Sequence, residues 1–116
     1  MSRRMCFALD LVDDAALIAD YEAYHASGAV WPGIVADIRA SGFDAMEIWR
    51  VADRLMMVAE VADDFPRKRD AVTQEVVDRW EAMMARYQKP LPDAEPGEKW
   101  LPMTRIFTLD EKSWPS

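Results

Sequence analysis

The sequence predicts an α+β fold, a four-stranded antiparallel sheet with helices on one face, from three observations. Phe43 to Val51 alternates, Arg54 to Val61 is a second apolar run, and only Ala52-Asp53 separates them, the pattern of a β-hairpin. Helix-start signals recur: Asp13 or Asp14 before an Ala- and Leu-rich run, Pro32 behind Trp31, and Pro66 behind Asp63-Asp64-Phe65. The elements then fall in the order strand, helix, helix, strand, strand, helix, strand, which fits a ferredoxin-like sandwich with an extra helix.

Each element has its own reason. From Met5 to Val12, Met5, Phe7, Leu9 and Leu11 alternate with Cys6, Ala8 and Asp10, a strand with one apolar face. Ala15 to about His25 is rich in helix formers, with Leu17, Ile18, Tyr21 and either Tyr24 or His25 on one stripe, until Ser27-Gly28 breaks it. Ile34, Val35 and Ile38 are the stripe of the second helix, which Ser41-Gly42 ends. In the hairpin, Met46, Ile48 and Arg50 face one way and Glu47, Trp49 and Val51 the other. The third helix is expected from Phe65-Pro66 to about Tyr87, with Val72, Val76, Trp80, Met83 and Met84 inward. Prolines and a glycine enforce a loop from Lys89 to Gly97, Met103 to Leu109 is expected as the last strand, and Asp110 to Ser116 as a polar tail. Apolar residues on both faces of the strands predict a second copy packed on the open face.

Bulk properties narrow the function. The 116 residues make one domain, 1–116, with enough apolar material for a core. A net charge of -7 argues against nucleic acid and anionic membranes as partners, since both need clustered Lys and Arg. One cysteine, Cys6, forms no internal disulfide, and with a single histidine there is no zinc ligand set. No continuous apolar signal-peptide core follows Arg3-Arg4, because Asp10, Asp13 and Asp14 interrupt it, and no apolar stretch is long enough to span a membrane, so the expected compartment is the cytoplasm.

The chemistry gathers on Tyr21-Glu22-Ala23-Tyr24-His25. Tyr21 and His25 are four apart, so on a helix a phenol and the only imidazole share a face. Histidine exchanges a proton near neutral pH. The plain alternative is a solvated or core histidine near a helix end.

With these residues in view, the chain resembles the L-rhamnose mutarotase family, closest to its L-fucose branch. Tyr21-x-x-x-His25, Trp31-Pro32 and Asp78-Arg79-Trp80 carry the resemblance, with Met46-Glu47-Ile48-Trp49, Pro90-Leu91-Pro92, Pro96-Gly97-Glu98-Lys99-Trp100 and Arg105-Ile106-Phe107. It extends from about Met5 to Leu109. The resemblance implies a dimeric α/β barrel, a homodimer, and interconversion of the α and β anomers of a free 6-deoxy-L-hexose without metal or organic cofactor. It implies His25 as catalytic proton donor and Tyr21, Met46, Trp80 and Glu81 as substrate-binding positions. Met46 stands where the rhamnose enzymes carry a tyrosine and Glu81 where they carry a second tryptophan, which shifts the expected sugar from L-rhamnose to L-fucose. His25 and Trp31 are six apart where the family has four, with Ser27-Gly28-Ala29 as the insertion.

The reaction itself asks for one acid and one base. The C1 hydroxyl loses a proton, the ring oxygen gains one, and the open aldehyde turns and recloses. His25 can supply one transfer; Tyr21, Tyr24, Glu47 or water the other. Strand parity places Met46 and Glu47 on opposite faces, so a pocket holding Met46 excludes Glu47 unless a bulge intervenes. Trp80 is the expected sugar platform, because C–H faces of a sugar pack on aromatic rings. Two other readings fit the same fold: a cofactor-free or haem-handling oxygenase, and a sugar-binding dimeric module without catalysis.

Overall fold

The computed structural model describes residues 3–109, and the side chains of all but Ala71 and Val72 among them. The side chain of Val72, expected inward, and the tail from Asp110 to Ser116 lie outside what is described. The order is β1 (Arg3–Leu11), α1 (Ala15–Tyr24), α2 (Pro32–Ala40), β2 (Phe43–Val51), β3 (Arg54–Val61), α3 (Ala71–Met84), β4 (Gln88–Lys89) and β5 (Leu101–Pro102). All pairings are antiparallel, in the order β2-β3-β1-β4. This is the predicted ferredoxin-like α+β arrangement with three helices.

The fourth strand position is split. β4 and β5 both pair with β1, at Asp10–Leu11 and at Phe7–Ala8, with a loop from 90 to 100 between them. The expected strand over Met103–Leu109 does not form. Pro102 has no N–H for the ladder, the Met103 N–H makes one last bond to the Cys6 carbonyl at 2.7 Å, and the chain then crosses the outer sheet face.

Helix starts follow side-chain acceptors more closely than prolines. Asp14 caps α1 by accepting from the Leu17 N–H at 3.0 Å. Pro32 opens α2 as expected. α3 begins at Ala71, five residues later than Pro66 would place it, because Asp70 is its cap, accepting from the Thr73 N–H at 2.8 Å. The preceding backbone is used elsewhere: Phe65 N–H donates to the Ala62 carbonyl and Arg67 N–H to that of Ser41. α3 also ends at Met84 and not at Tyr87.

The helices cover one sheet face. Leu11 of β1 and Leu55 of β3 are buried with Tyr21, Ile34, Val77, Trp80, Met84 and Tyr87, while Phe7 of β1 and Met57, Ala59 and Val61 of β3 form a second buried cluster packed by Met5, Phe43, Met46, Phe65 and Trp100. β2 carries a bulge between Phe43 and Ala45. It makes the three-residue step from Phe43 to Met46 end on the same face, so both sit opposite inward residues of β3, Val61 and Ala59. Gly42 at φ 112° precedes the bulge; a Cβ there would meet Phe65 at 3.2 Å. Among the described residues no helix is long and apolar enough to cross a membrane.

Candidate active site

A cavity of about 610 Å³ opens between the helices and the sheet, a size suited to a small molecule. Met46, Ile48 and Met57 form its sheet side, Tyr21 and His25 come from the end of α1, and Trp80 and Glu81 from α3. The five expected site residues, Tyr21, His25, Met46, Trp80 and Glu81, therefore line one space.

His25 is the residue at which α1 stops, and its ring folds back over the last turn. Nδ1 lies 2.8 Å from the Tyr21 carbonyl oxygen. A carbonyl only accepts, so Nδ1 carries the proton and donates, and the neutral ring keeps its lone pair on Nε2. The ring lies 4.3 Å from that of Tyr21, centroid to centroid, and meets Trp80 edge-on at 5.7 Å. One hydrogen bond and two rings thus hold the imidazole with Nε2 as its exchangeable position.

Tyr21 is only 3% exposed. Burial pushes its phenol up, a hydrogen bond from the Gln88 side chain pulls it down, and the Glu81 carboxylate pushes it up again; the net direction is up. At neutral pH Tyr21 is a neutral hydrogen-bonding group and no phenolate base. Trp80 is buried and packed edge-on against Trp31 at 5.0 Å. Trp31 thus stands behind Trp80 without lining the cavity, whereas Trp100 does line it. Glu81 is held by Lys99, whose Nζ donates to Oε2 at 2.8 Å and to the Glu81 carbonyl at 3.3 Å.

Glu47 is on the other side of the sheet. It faces the outer groove and accepts from the Trp49 indole at 3.2 Å. The parity argument holds because the bulge falls before Met46 and leaves the alternation after it intact.

Asp37, Arg69 and Gln88 are among the polar residues of the cavity that the sequence reading did not single out. Asp37, 6% exposed, is chelated by Arg69 through Nε at 2.8 Å and Nη2 at 3.1 Å. That hydrogen bond is the main cause holding the Arg69 guanidinium above its ordinary value. Asp37 had a signal: it lies three residues after Ile34, on the apolar stripe of α2. Arg69 lay hidden in a charged run, and Gln88 sits on a two-residue strand that no periodicity can reveal. Among the described residues no group of three His, Cys, Asp or Glu is placed to hold a metal.

The fold and this cavity define the class: a ferredoxin-like α+β protein with a histidine-centred small-molecule pocket under its helices. A sequence profile of the family described as L-rhamnose mutarotase matches residues 4–109. An L-fucose mutarotase from Xanthomonas campestris pv. campestris is 46% identical over 113 residues, covering 94% of this chain and 90% of the relative. A Dictyostelium discoideum protein is 31% identical over 110 residues, covering 89% and 86%. The crystal structure of an L-rhamnose mutarotase from Formosa agariphila, 20% identical, superposes with a TM-score of 0.66 over 93% of this chain and 99% of that one, which establishes the shared fold. The chain belongs to the L-rhamnose mutarotase family. It is an isomerase that interconverts sugar anomers.

Proposed function

We propose that the sugar is a 6-deoxy-L-hexose, L-fucose before L-rhamnose, and that His25 carries the ring-oxygen proton. The observation that carries this reading is the tethered imidazole of His25 against Tyr21 and Trp80, opening on a cavity large enough for a pyranose. The preference for L-fucose is supported by the 46% identity with an L-fucose mutarotase and by Met46 and Glu81 at the two departures described above.

As imidazolium, His25 donates from Nε2 to the ring oxygen, and the C1–O5 bond breaks as the C1 hydroxyl gives up its proton. The aldehyde turns about C1–C2, and the steps reverse on its other face. The proton of the C1 hydroxyl passes to water. Tyr21 is a neutral phenol, Glu47 faces away, and Glu81 is tied to Lys99. Trp80 supplies an aromatic wall for the sugar, and Tyr21 and Glu81 hydrogen-bond its hydroxyls.

We place the active form as a homodimer packed on the outer sheet face. Trp49, Val51, Phe107 and Leu109 lie exposed there or in the segment that crosses it.

The test of the sugar is a comparison of kcat/KM for anomer exchange of L-fucose and L-rhamnose. The expected ratio is roughly tenfold or more in favour of L-fucose, the scale on which a hydroxyl of the wrong configuration leaves site groups unpaired. A ratio of one or below removes L-fucose as the preferred sugar.

A further inference from the structure

Asp37 and Arg69 form an ion pair at a place where packing alone does not call for one. Asp37 lies on the apolar stripe of α2, three residues after Ile34, and its side chain is 7% exposed. Arg69 comes from the segment before α3. It donates to both carboxylate oxygens, at 2.8 and 3.1 Å, and its own side chain stays 35% exposed. Both residues line the cavity that holds His25, Tyr21 and Trp80. Ile34 is buried in one cluster with Tyr21 and Trp80, and three residues of helix advance the chain only roughly 4.5 Å along its axis. Asp37 therefore sits within a helical turn of a residue packed in the Tyr21–Trp80 cluster.

A staple between α2 and the segment before α3 needs no charge. Replacing a buried ion pair by apolar side chains of similar size is often neutral or stabilising. What the charges supply is donors. A guanidinium carries five N–H groups in a planar fork. Two go to Asp37, and no other described residue accepts from the rest. The two-point contact with Asp37 fixes the plane of the fork at a cavity wall that is otherwise apolar at Ile34, Val35 and Ile38.

The charge of the ligand follows from the same residues. Asp37 neutralises Arg69, and the other Arg, Asp and Glu side chains of the lining are Arg39, Asp44 and Glu81. No cationic excess remains to hold an anion. A neutral polyol fits, because adjacent hydroxyl oxygens can each accept from one N–H of the fork.

We propose that Asp37 and Arg69 form a subsite for the sugar's hydroxyls: Arg69 donates to two adjacent hydroxyl oxygens among those on C2, C3 and C4 of the pyranose, and Asp37 positions the guanidinium. This rests on the mutarotase reading and deepens it.

The test compares L-fucose with analogues lacking the hydroxyl at C2, C3 or C4. In the wild-type protein, loss of a hydroxyl that Arg69 reads should raise KM about tenfold or more, the scale of one hydrogen bond to a charged donor. Arg69→Lys keeps a cation beside Asp37 and loses the planar fork. It should raise KM for L-fucose roughly tenfold with kcat little changed, and should shrink the penalty at two adjacent positions to about threefold or less. A mere staple would show a lower thermal midpoint with KM and all three penalties unchanged. That result in a folded Lys variant, or a wild-type protein indifferent to all three hydroxyls, would overturn the proposal. Should Arg69→Lys not fold, the double variant Asp37→Leu with Arg69→Met leaves no buried charge unpaired and is judged on the same penalties. Inorganic phosphate checks the ligand's charge. At tens of millimolar it should not compete with L-fucose; competition that disappears in the double variant would overturn the assignment to a neutral polyol. The wild-type rate is measured first. If it equals the rate in buffer, the mutarotase reading fails and this proposal with it; wild-type catalysis with penalties that ignore Arg69 sinks the proposal alone.

Discussion

Replacing His25 by Asn should lower the rate of anomer exchange by about 10² to 10⁴ while sugar affinity changes little, the range attributed to one well-placed proton transfer. Asn can still reach toward the Tyr21 carbonyl as a donor, but it has no group that both gives and takes a proton near pH 7. The structural cost is small by comparison. One hydrogen bond of 2.8 Å to a backbone carbonyl is at stake, worth roughly 0.5–1.5 kcal/mol, together with part of the ring contact to Tyr21 and Trp80. Rate and thermal midpoint measured on the same preparation separate the roles. A histidine that merely finishes α1 would show a lower midpoint and an unchanged rate per folded molecule. A folded Asn variant at the wild-type rate would mean that another group carries the proton, with Tyr21, Tyr24 and Glu81 next to be replaced.

The second large effect concerns assembly. The protein should sediment at twice its 13.3 kDa mass at micromolar concentration. Trp49 is 60% exposed, Phe107 73% and Leu109 87%, and together they bound an outer groove with Cys6, Met56 and Val58. Monomers rarely leave so much contiguous apolar surface to water. β2 is also an edge strand with most of its side chains exposed, a surface that proteins normally cover or blunt. Trp49→Asp would place a charge at the centre of the contact. It should shift the protein to monomer with its circular dichroism intact, since Trp49 packs on no part of the described core. Wild-type protein that sediments as a folded monomer would contradict the dimer.

The sequence made the α+β class legible because its strongest signals are local. The hairpin rested on the two-residue turn, where Ala52 takes φ 52°, as such turns require. The candidate site was legible where its residues follow helical spacing, as Tyr21 and His25 do, and strand parity, as in Met46 against Glu47. It was illegible where tertiary context decided. Pro66 could have opened a helix, but the Ser41 carbonyl claimed the next backbone donor and Asp70 offered the cap. Residues 103–109 have the composition of a strand, and within one chain the edge they would extend stops pairing at Met103. Asp37 and Arg69 are far apart in sequence and became a pair only when α2 met the segment before α3. Gln88 owes its place to a two-residue pairing with β1.

The central claim is tested most directly by magnetisation exchange between the α and β anomeric protons of L-fucose, with the protein at catalytic concentration. We expect cross-peaks that grow with enzyme concentration and disappear on substitution of His25 by Asn. Exchange that stays at the buffer rate with L-fucose, L-rhamnose and common hexoses would contradict the account.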